Sequence, residues 1–387
     1  MDQATSLPTM VGRVGICILV MGANRDREAS YSKLIKSLEK DARVKSIDAP
    51  SPMTATLQDA RYVVPPSRPA NPRTRMRTEG ATHTHNHALR IRPAISLHVQ
   101  VPRRLQVEGA KESTVPADEY WVAWDGVTAL VTWMYDASPR PFGIPGGTVV
   151  LDILEKAAED SGLKAKKLSC GSNCGYPFAH SDLLVRPVAE RVEPTFSTQD
   201  RHLVEVKVTT ADNPLNLTRA LLANIYFICH IYTKLRSHGR VISVAEKDAR
   251  ASAADLLALQ YNRALSGTLP AHKRAQSLWR DRKWRKESTR FIAGVWLGLV
   301  SIEENKREWN NARLIFDESS SKGNAGLIFS HEYPQEVNLI TSLDVSNIRA
   351  SVEQTAARLD TRFTVSTTTV VALAGAVIGA IAAHFTG

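Results

Sequence analysis

The run Tyr120-Trp-Val-Ala-Trp-Asp-Gly-Val-Thr-Ala-Leu-Val-Thr-Trp133 constrains the fold more than any other part of the chain. Aromatic and β-branched residues flank Asp125-Gly126, a dipeptide suited to a two-residue hairpin turn because both central positions take positive φ. A turn of that length pairs Trp124 with Val127 and Val122 with Ala129. Tyr120, Val122, Trp124, Val127, Ala129 and Val131 then share one face of the ladder.

A hairpin this apolar needs a larger sheet, and the flanking segments supply one. Val14 to Met21 is a short apolar run bounded by glycines that reads as a buried strand. Tyr31 to Val44 carries Leu34, Ile35 and Leu38 at helical spacing behind Ser30 as a cap, and Lys45 to Asp48 completes a β-α-β unit. Ile95, Leu97, Val99 and Val101 alternate as in a half-buried strand. A helix from Val149 to Ser161 closed by Gly162 follows, then strands at Lys164 to Leu168 and His202 to Thr209. The N-terminal half is therefore expected to be α+β, on a mixed sheet with a β-hairpin.

From Asn213 the period changes to that of helices. Helical segments are expected at Leu217 to Leu235, Val244 to Leu265, Ala271 to Val300 and Ser301 to Phe316, with a polar loop at Asp317 to Asn324, a strand at Ala325 to Phe329 and a last helix from Asp344. The domain reading is a β-α-β segment (1–49), a Pro/Arg-rich loop or linker (50–93), an α+β domain (94–212), a helical domain (213–343), a stalk helix (344–364) and a transmembrane helix (365–385).

That last element rests on Val365 to Phe385, which holds no acidic or basic residue apart from His384. As a helix it would be roughly 31 Å long, near the ~30 Å thickness of a bilayer core. Gly375, Gly379 and Ala383 form one small-residue row and Ala372, Ala376 and Ala380 another, an arrangement through which helices associate in lipid. Arg349, Arg358 and Arg362 precede the run and no Lys or Arg follows it. The expectation is a single-pass membrane protein held by its C-terminal tail, with its body in the cytoplasm and self-association through the tail.

The net charge of +10 favours anionic partners, and seven arginines fall between Pro50 and Pro93, so the excess is local. Four cysteines, Cys17, Cys170, Cys174 and Cys229, are too few and too scattered for a disulfide scaffold.

Four groups of residues carry candidate chemistry. Gly143, Gly146, Gly147 and Thr148 precede a helix and could cradle the phosphate of a small anionic ligand, although the Lys-Ser/Thr ending of a P-loop is missing and a plain connection is preferred. Cys170, Cys174 and His180 are soft ligands with spacing suited to zinc, but a structural site needs four ligands. His202, or Cys229 with His230, would have to arrive from afar, so two reduced loop cysteines with no cofactor are preferred. His83, His85 and His87 alternate in the Pro/Arg-rich segment and read as solvated. Arg280, Lys283, Trp284, Arg285 and Lys286 suit an anionic surface: a bundle face ranks first, a membrane second, and nucleic acid third.

No serine elbow, His-Glu-x-x-His or paired-phosphate motif is present in the sequence. The preferred reading is a non-enzymatic effector or adaptor that senses a ligand or protein partner. In layout alone it resembles membrane-tethered bacterial defence and signalling effectors. A membrane-localised enzyme acting on a nucleotide or nucleic acid, and a protein-interaction scaffold, are the alternatives.

Overall fold

The structure, a computed structural model, describes residues 7–21, 26–52, 54–63, 85–106, 115, 117–135, 148–171, 174–200, 202–266 and 271–358; side chains at 58–63, 85–87, 262–286 and 356–358 are not described. The chain divides into two compact units. The first comprises Met1–Ala70, Thr82–Gly239 and Glu308–Leu339; the second comprises Asn71–Ala81, Arg240–Arg307 and Ile340–Gly387.

The first unit is built on β1 (Met10–Met21), a strand long enough to serve two sets of neighbours. Its first half pairs with β7 (Thr128–Met134) and β9 (Asp182–Val188), and its second half with β8 (Lys164–Lys167) and β4 (His85–Arg92). The main path of the sheet runs β10 (Thr195–Asp200), β11 (Leu203–Thr209), β9, β1, β7, β6 (Glu119–Trp124), β5 (Ile95–Gln100), β2 (Val44–Asp48). β9 and β11 are parallel, whereas the pairs of β1, β6 and β7 are antiparallel, so the sheet is mixed as expected.

Alternation along β1 divides the core in two. Met10, Val14, Ile16, Ile18 and Val20 face one cluster, completed by Leu217 to Tyr232, Phe316 and Phe329. Val11, Cys17, Leu19 and Met21 face the other, against Tyr31, Leu34 and Leu38 of α1 (Arg27–Lys40) and the apolar face of α2 (Thr148–Asp160). Helices therefore cover both faces. Trp124 is fully buried in the second cluster and its Nε1–H donates to the Cys17 carbonyl at 2.9 Å, which meets the polar requirement of a ring whose burial is worth roughly 2–3 kcal/mol.

The hairpin is present, with a different register. Trp124 pairs with Ala129 and Val122 with Val131, so four residues make the turn and Val127 faces the opposite cluster from Trp124. The cause is long-range. Asp125 Oδ1 accepts from the backbone of Val127 and Thr128, while Cys17 N–H and Leu19 N–H donate to the carbonyls of Val127 and Gly126. The turn is thus a partner of β1 and is itself buried.

Other expectations are corrected by local chemistry. Asp26, not Ser30, caps α1 by accepting from the Glu28 and Ala29 amides. The segment 50–93, read as a loop, contributes β3 (Thr56–Val63) and β4, which pair antiparallel. The helices expected as separate pieces merge into α3 (Pro214–Ser266) and α4 (Ala271–Gly323), which also absorbs most of the expected 317–324 loop; Ala325–Phe329 is a 3-10 turn rather than a strand. Strands β9 and β10 and the helix α5 (Glu332–Thr341) were not anticipated.

The second unit has its own core, where Ala249, Ala253 and Leu256 of α3 meet Ile292, Val295 and Leu299 of α4 and Ile348 and Val352 of α6 (Ser346–Arg358). The expected stalk thus begins as a packed helix.

The membrane reading is corrected. Among the described residues no helix is long and apolar enough to cross a membrane. The longest, α3 and α4, carry charged residues along much of their length. The run 365–385, with Gly375, Gly379, Ala383, Ala372, Ala376 and Ala380, lies outside the described residues and is weakly hydrophobic, being rich in Gly, Ala and Thr rather than large apolar side chains. The single-pass anchor and the membrane location with a cytoplasmic body are not supported.

Candidate metal centre

The chain between β8 and β9 is held against β1 from both ends. Leu168 N–H donates to the Ile16 carbonyl, Ile16 N–H to Pro177, and Ala179 N–H to Val14. Phe178 lies so close to Gly15 that a Cβ there would come within 2.8 Å of its ring, which is why β1 carries glycine at that point. The loop between these anchors is drawn tight by Cys170 N–H donating to the Tyr176 carbonyl at 2.8 Å.

That closure brings Cys170, Cys174 and His180 together. Cys170 Sγ lies 3.7 Å from His180 Nδ1, and Cys174 Sγ lies 3.6 Å from Nε2. One ligand atom from each of the three falls within 4.8 Å of the others. The Tyr176 amide points at Cys174 Sγ at 3.3 Å, a donor placed to stabilise a thiolate.

A second group overlaps the first. His180, His331 and Glu332 also offer ligand atoms within 4.8 Å of one another. The His331 ring is tilted against His180 at 4.6 Å between centroids and against His202 at 5.4 Å. Glu332 Oε1 accepts from both the backbone amide and Nδ1 of His180, the latter at 2.8 Å. Its other oxygen, Oε2, is buried and has no hydrogen-bond partner among the described residues. Glu332 opens α5, where a negative charge suits the helix dipole.

Behind the loop stands a buried polar support. Arg236 and Glu336, with side chains 1% and 0% exposed, pair at 2.8 Å. Arg236 also donates to the carbonyl and hydroxyl of Ser169, and the Tyr232 hydroxyl donates to the Cys170 carbonyl at 2.6 Å. Burial pushes the Cys170 thiol well above the ordinary range, and the charge of Glu332 and the neighbouring Cys174 act the same way, against the pull of Arg236. A cation bound between these groups would reverse that balance.

One pair of the donor set has the spacing that zinc requires. Bond lengths of ~2.3 Å to sulfur and ~2.0 Å to nitrogen put two ligands of a tetrahedron about 3.6 Å apart. The Cys174 Sγ–Nε2 separation matches this, and the Glu332–His180 hydrogen bond makes Nδ1 the N–H nitrogen and leaves Nε2 to face a metal. The 3.7 Å separation of Cys170 is to Nδ1, so it is not a ligand-to-ligand distance of that set.

The other predicted sites are not assembled in the same way. Thr148 is the first residue of α2, while Gly143, Gly146 and Gly147 lie outside the described residues. Arg280, Lys283, Trp284, Arg285 and Lys286 lie on α4 where side chains are not described. His85 and His87 are on β4 and His83 is outside the described residues. Cys229 is buried in the first cluster, not at the loop. The sequence reading missed His331 and Glu332, whose only local signal is an acidic residue at a helix start. No family model, curated protein or solved structure matches the chain.

Proposed function

We propose that the first unit is a non-enzymatic, metal-holding sensor or adaptor module. Cys170, Cys174 and His180 Nε2 hold zinc, and the 331–332 turn supplies the fourth donor. Zinc bound there supplies a cross-link between the loop preceding β9 and the start of α5, segments 152 residues apart in sequence. The observation that carries this reading is that His180 belongs to two ligand groups, one with the thiols of Cys170 and Cys174 and one with His331 and Glu332, whose buried Oε2 has no hydrogen-bond partner among the described residues. Such a carboxylate is costly to leave alone and is satisfied by a nearby cation. In this reading the metal governs whether the two segments stay together, which makes the module responsive to metal supply or to thiol oxidation.

The test is metal analysis of the full chain expressed with zinc, beside a Cys170→Ser/Cys174→Ser variant. One equivalent of zinc in the parent and none in the variant is the expected result. A parent that carries no zinc and takes up none on addition would overturn the reading.

A further inference from the structure

A separate cluster lies where β4 meets α3, within the first unit. Leu89 and Ile91 of β4 enter the second core cluster, so Arg90 and Arg92 project from the other face of the strand. They meet Tyr226, whose ring centroid is 5.1 Å from the Arg90 guanidinium carbon and 4.0 Å from that of Arg92. His230 and Lys234 follow Tyr226 at steps of four along α3 and so share its side of the helix.

Arg90 is only 9% exposed, and its Nε and Nη2 are buried without a hydrogen-bond partner among the described residues. Those two nitrogens form one edge of the guanidinium, the edge that grips two oxygens of a planar or tetrahedral anion at once. Among the described residues no carboxylate forms an ion pair with Arg90, Arg92 or Lys234. Asp125 is the acid whose charge is felt here, but its Oδ1 is committed to the Val127 and Thr128 amides. The local field is positive: burial, then Arg90, Lys234 and Arg92, drive His230 down to about 3. Burial would raise the Tyr226 hydroxyl, yet hydrogen bonds from Arg92 and Arg90 outweigh it and set it below its ordinary value. Among the described residues these three cations, with an idle, buried fork, have no counter-ion.

We infer that Arg90, Arg92 and Lys234 form a binding site for a phosphoryl dianion, with the Arg90 Nε/Nη2 edge as its bidentate anchor. Two negative charges match this excess better than the single charge of a carboxylate. Arg92, Tyr226, His230 and Lys234 are half-buried, so the cluster reaches solvent, and the Tyr226 ring over both guanidinium groups is what a ligand displaces to reach Arg90. This site shares no residue with the proposed metal centre.

The experiment titrates the full chain with inorganic phosphate, pyrophosphate and acetate by calorimetry at fixed ionic strength, before and after chelation of metal. Saturable binding of phosphate or pyrophosphate is expected, at least tenfold tighter than acetate and unchanged by chelation. Arg92→Met and Lys234→Met, at half-buried positions, should each weaken it at least tenfold with unaltered circular dichroism. Arg90→Lys, which keeps the charge but loses the fork, should do the same. Absence of saturable phosphate or pyrophosphate binding, binding unchanged in Arg92→Met and Lys234→Met, or acetate binding as tightly as phosphate would each overturn the assignment.

Discussion

Glu332 and His180 are joined twice: one carboxylate oxygen accepts from both the His180 backbone amide and its Nδ1, the latter at 2.8 Å. A single side chain at the start of a helix therefore sets the position and the tautomer of an imidazole in a distant loop. His180 is 38% exposed while Glu332 is 1% exposed, so the orienting group is the buried one and the oriented ring is the one that reaches outward. That division suits a ligand that must accept an incoming ion.

Glu332→Ala should lower zinc affinity by about 10- to 100-fold, the usual cost of removing the partner that orients a ligating histidine. Glu332→Gln keeps an acceptor for the His180 amide and ring and should lose less. Competition against a chromophoric chelator reads both values. Equal affinity in all three proteins would remove Glu332 from the site.

The Arg236–Glu336 pair is fully buried and supports the Ser169 carbonyl and hydroxyl. Replacing Arg236 alone by Met or Glu336 alone by Leu leaves an uncompensated buried charge and should cost about 3–5 kcal/mol in urea denaturation. The double replacement should recover much of that stability, yet leave zinc affinity below that of the parent because the loop before Cys170 has lost its tether. Additive single losses would mean the two charges are not coupled.

His230 supplies an acid-sensitive contribution. Its folded-state value of about 3 lies below the ordinary 6.5, through burial and then the charges of Arg90, Lys234 and Arg92. The ring stays neutral when folded while the unfolded chain takes up a proton. Its contribution is complete above pH 6.5 and is lost as the pH falls toward 3. Allowing for partial exposure, the loss is on the order of 2 kcal/mol. His230→Gln should therefore flatten the fall in stability between pH 7.5 and about 4. Parallel denaturation curves for the two proteins at both pH values would contradict the assignment.

Gly126 takes φ +83°, and a Cβ there would lie 2.1 Å from the Leu89 carbonyl oxygen. Backbone strain and a clash with another strand act together, so Gly126→Ala should cost at least about 3 kcal/mol. A melting temperature within a degree or two of the parent would show that β4 yields at this point.

Much of the first unit is readable from local pattern. Alternation in Ile95–Val101 identifies a strand because Ile95, Leu97, Val99 and Val101 enter one core while Ser96, His98 and Gln100 do not, and Tyr120–Trp133 sends alternate residues into both cores. The register of the hairpin is not readable, because Cys17 and Leu19, more than a hundred residues earlier, bind the turn carbonyls. Arg90 and Arg92 sit in a Pro/Arg-rich stretch whose composition hides the alternation with Leu89 and Ile91. The division of the C-terminal half into short helices also fails, since charged residues near 236–247 and 300–308 interrupt the apolar pattern without breaking the backbone. At the metal centre, Cys170, Cys174 and His180 are visible through their spacing. His331 and Glu332 are not, because nothing local distinguishes a ligand-orienting glutamate from an ordinary acidic residue in a first turn.

Cobalt substitution tests the metal centre most directly. Loading the metal-free protein with one equivalent of Co(II) should give intense visible bands of a four-coordinate ion together with near-ultraviolet thiolate-to-metal charge transfer. The charge-transfer bands should weaken by about half in Cys174→Ser and vanish in Cys170→Ser/Cys174→Ser. A weak, six-coordinate spectrum without charge transfer in the parent protein would contradict a site built on these two cysteines.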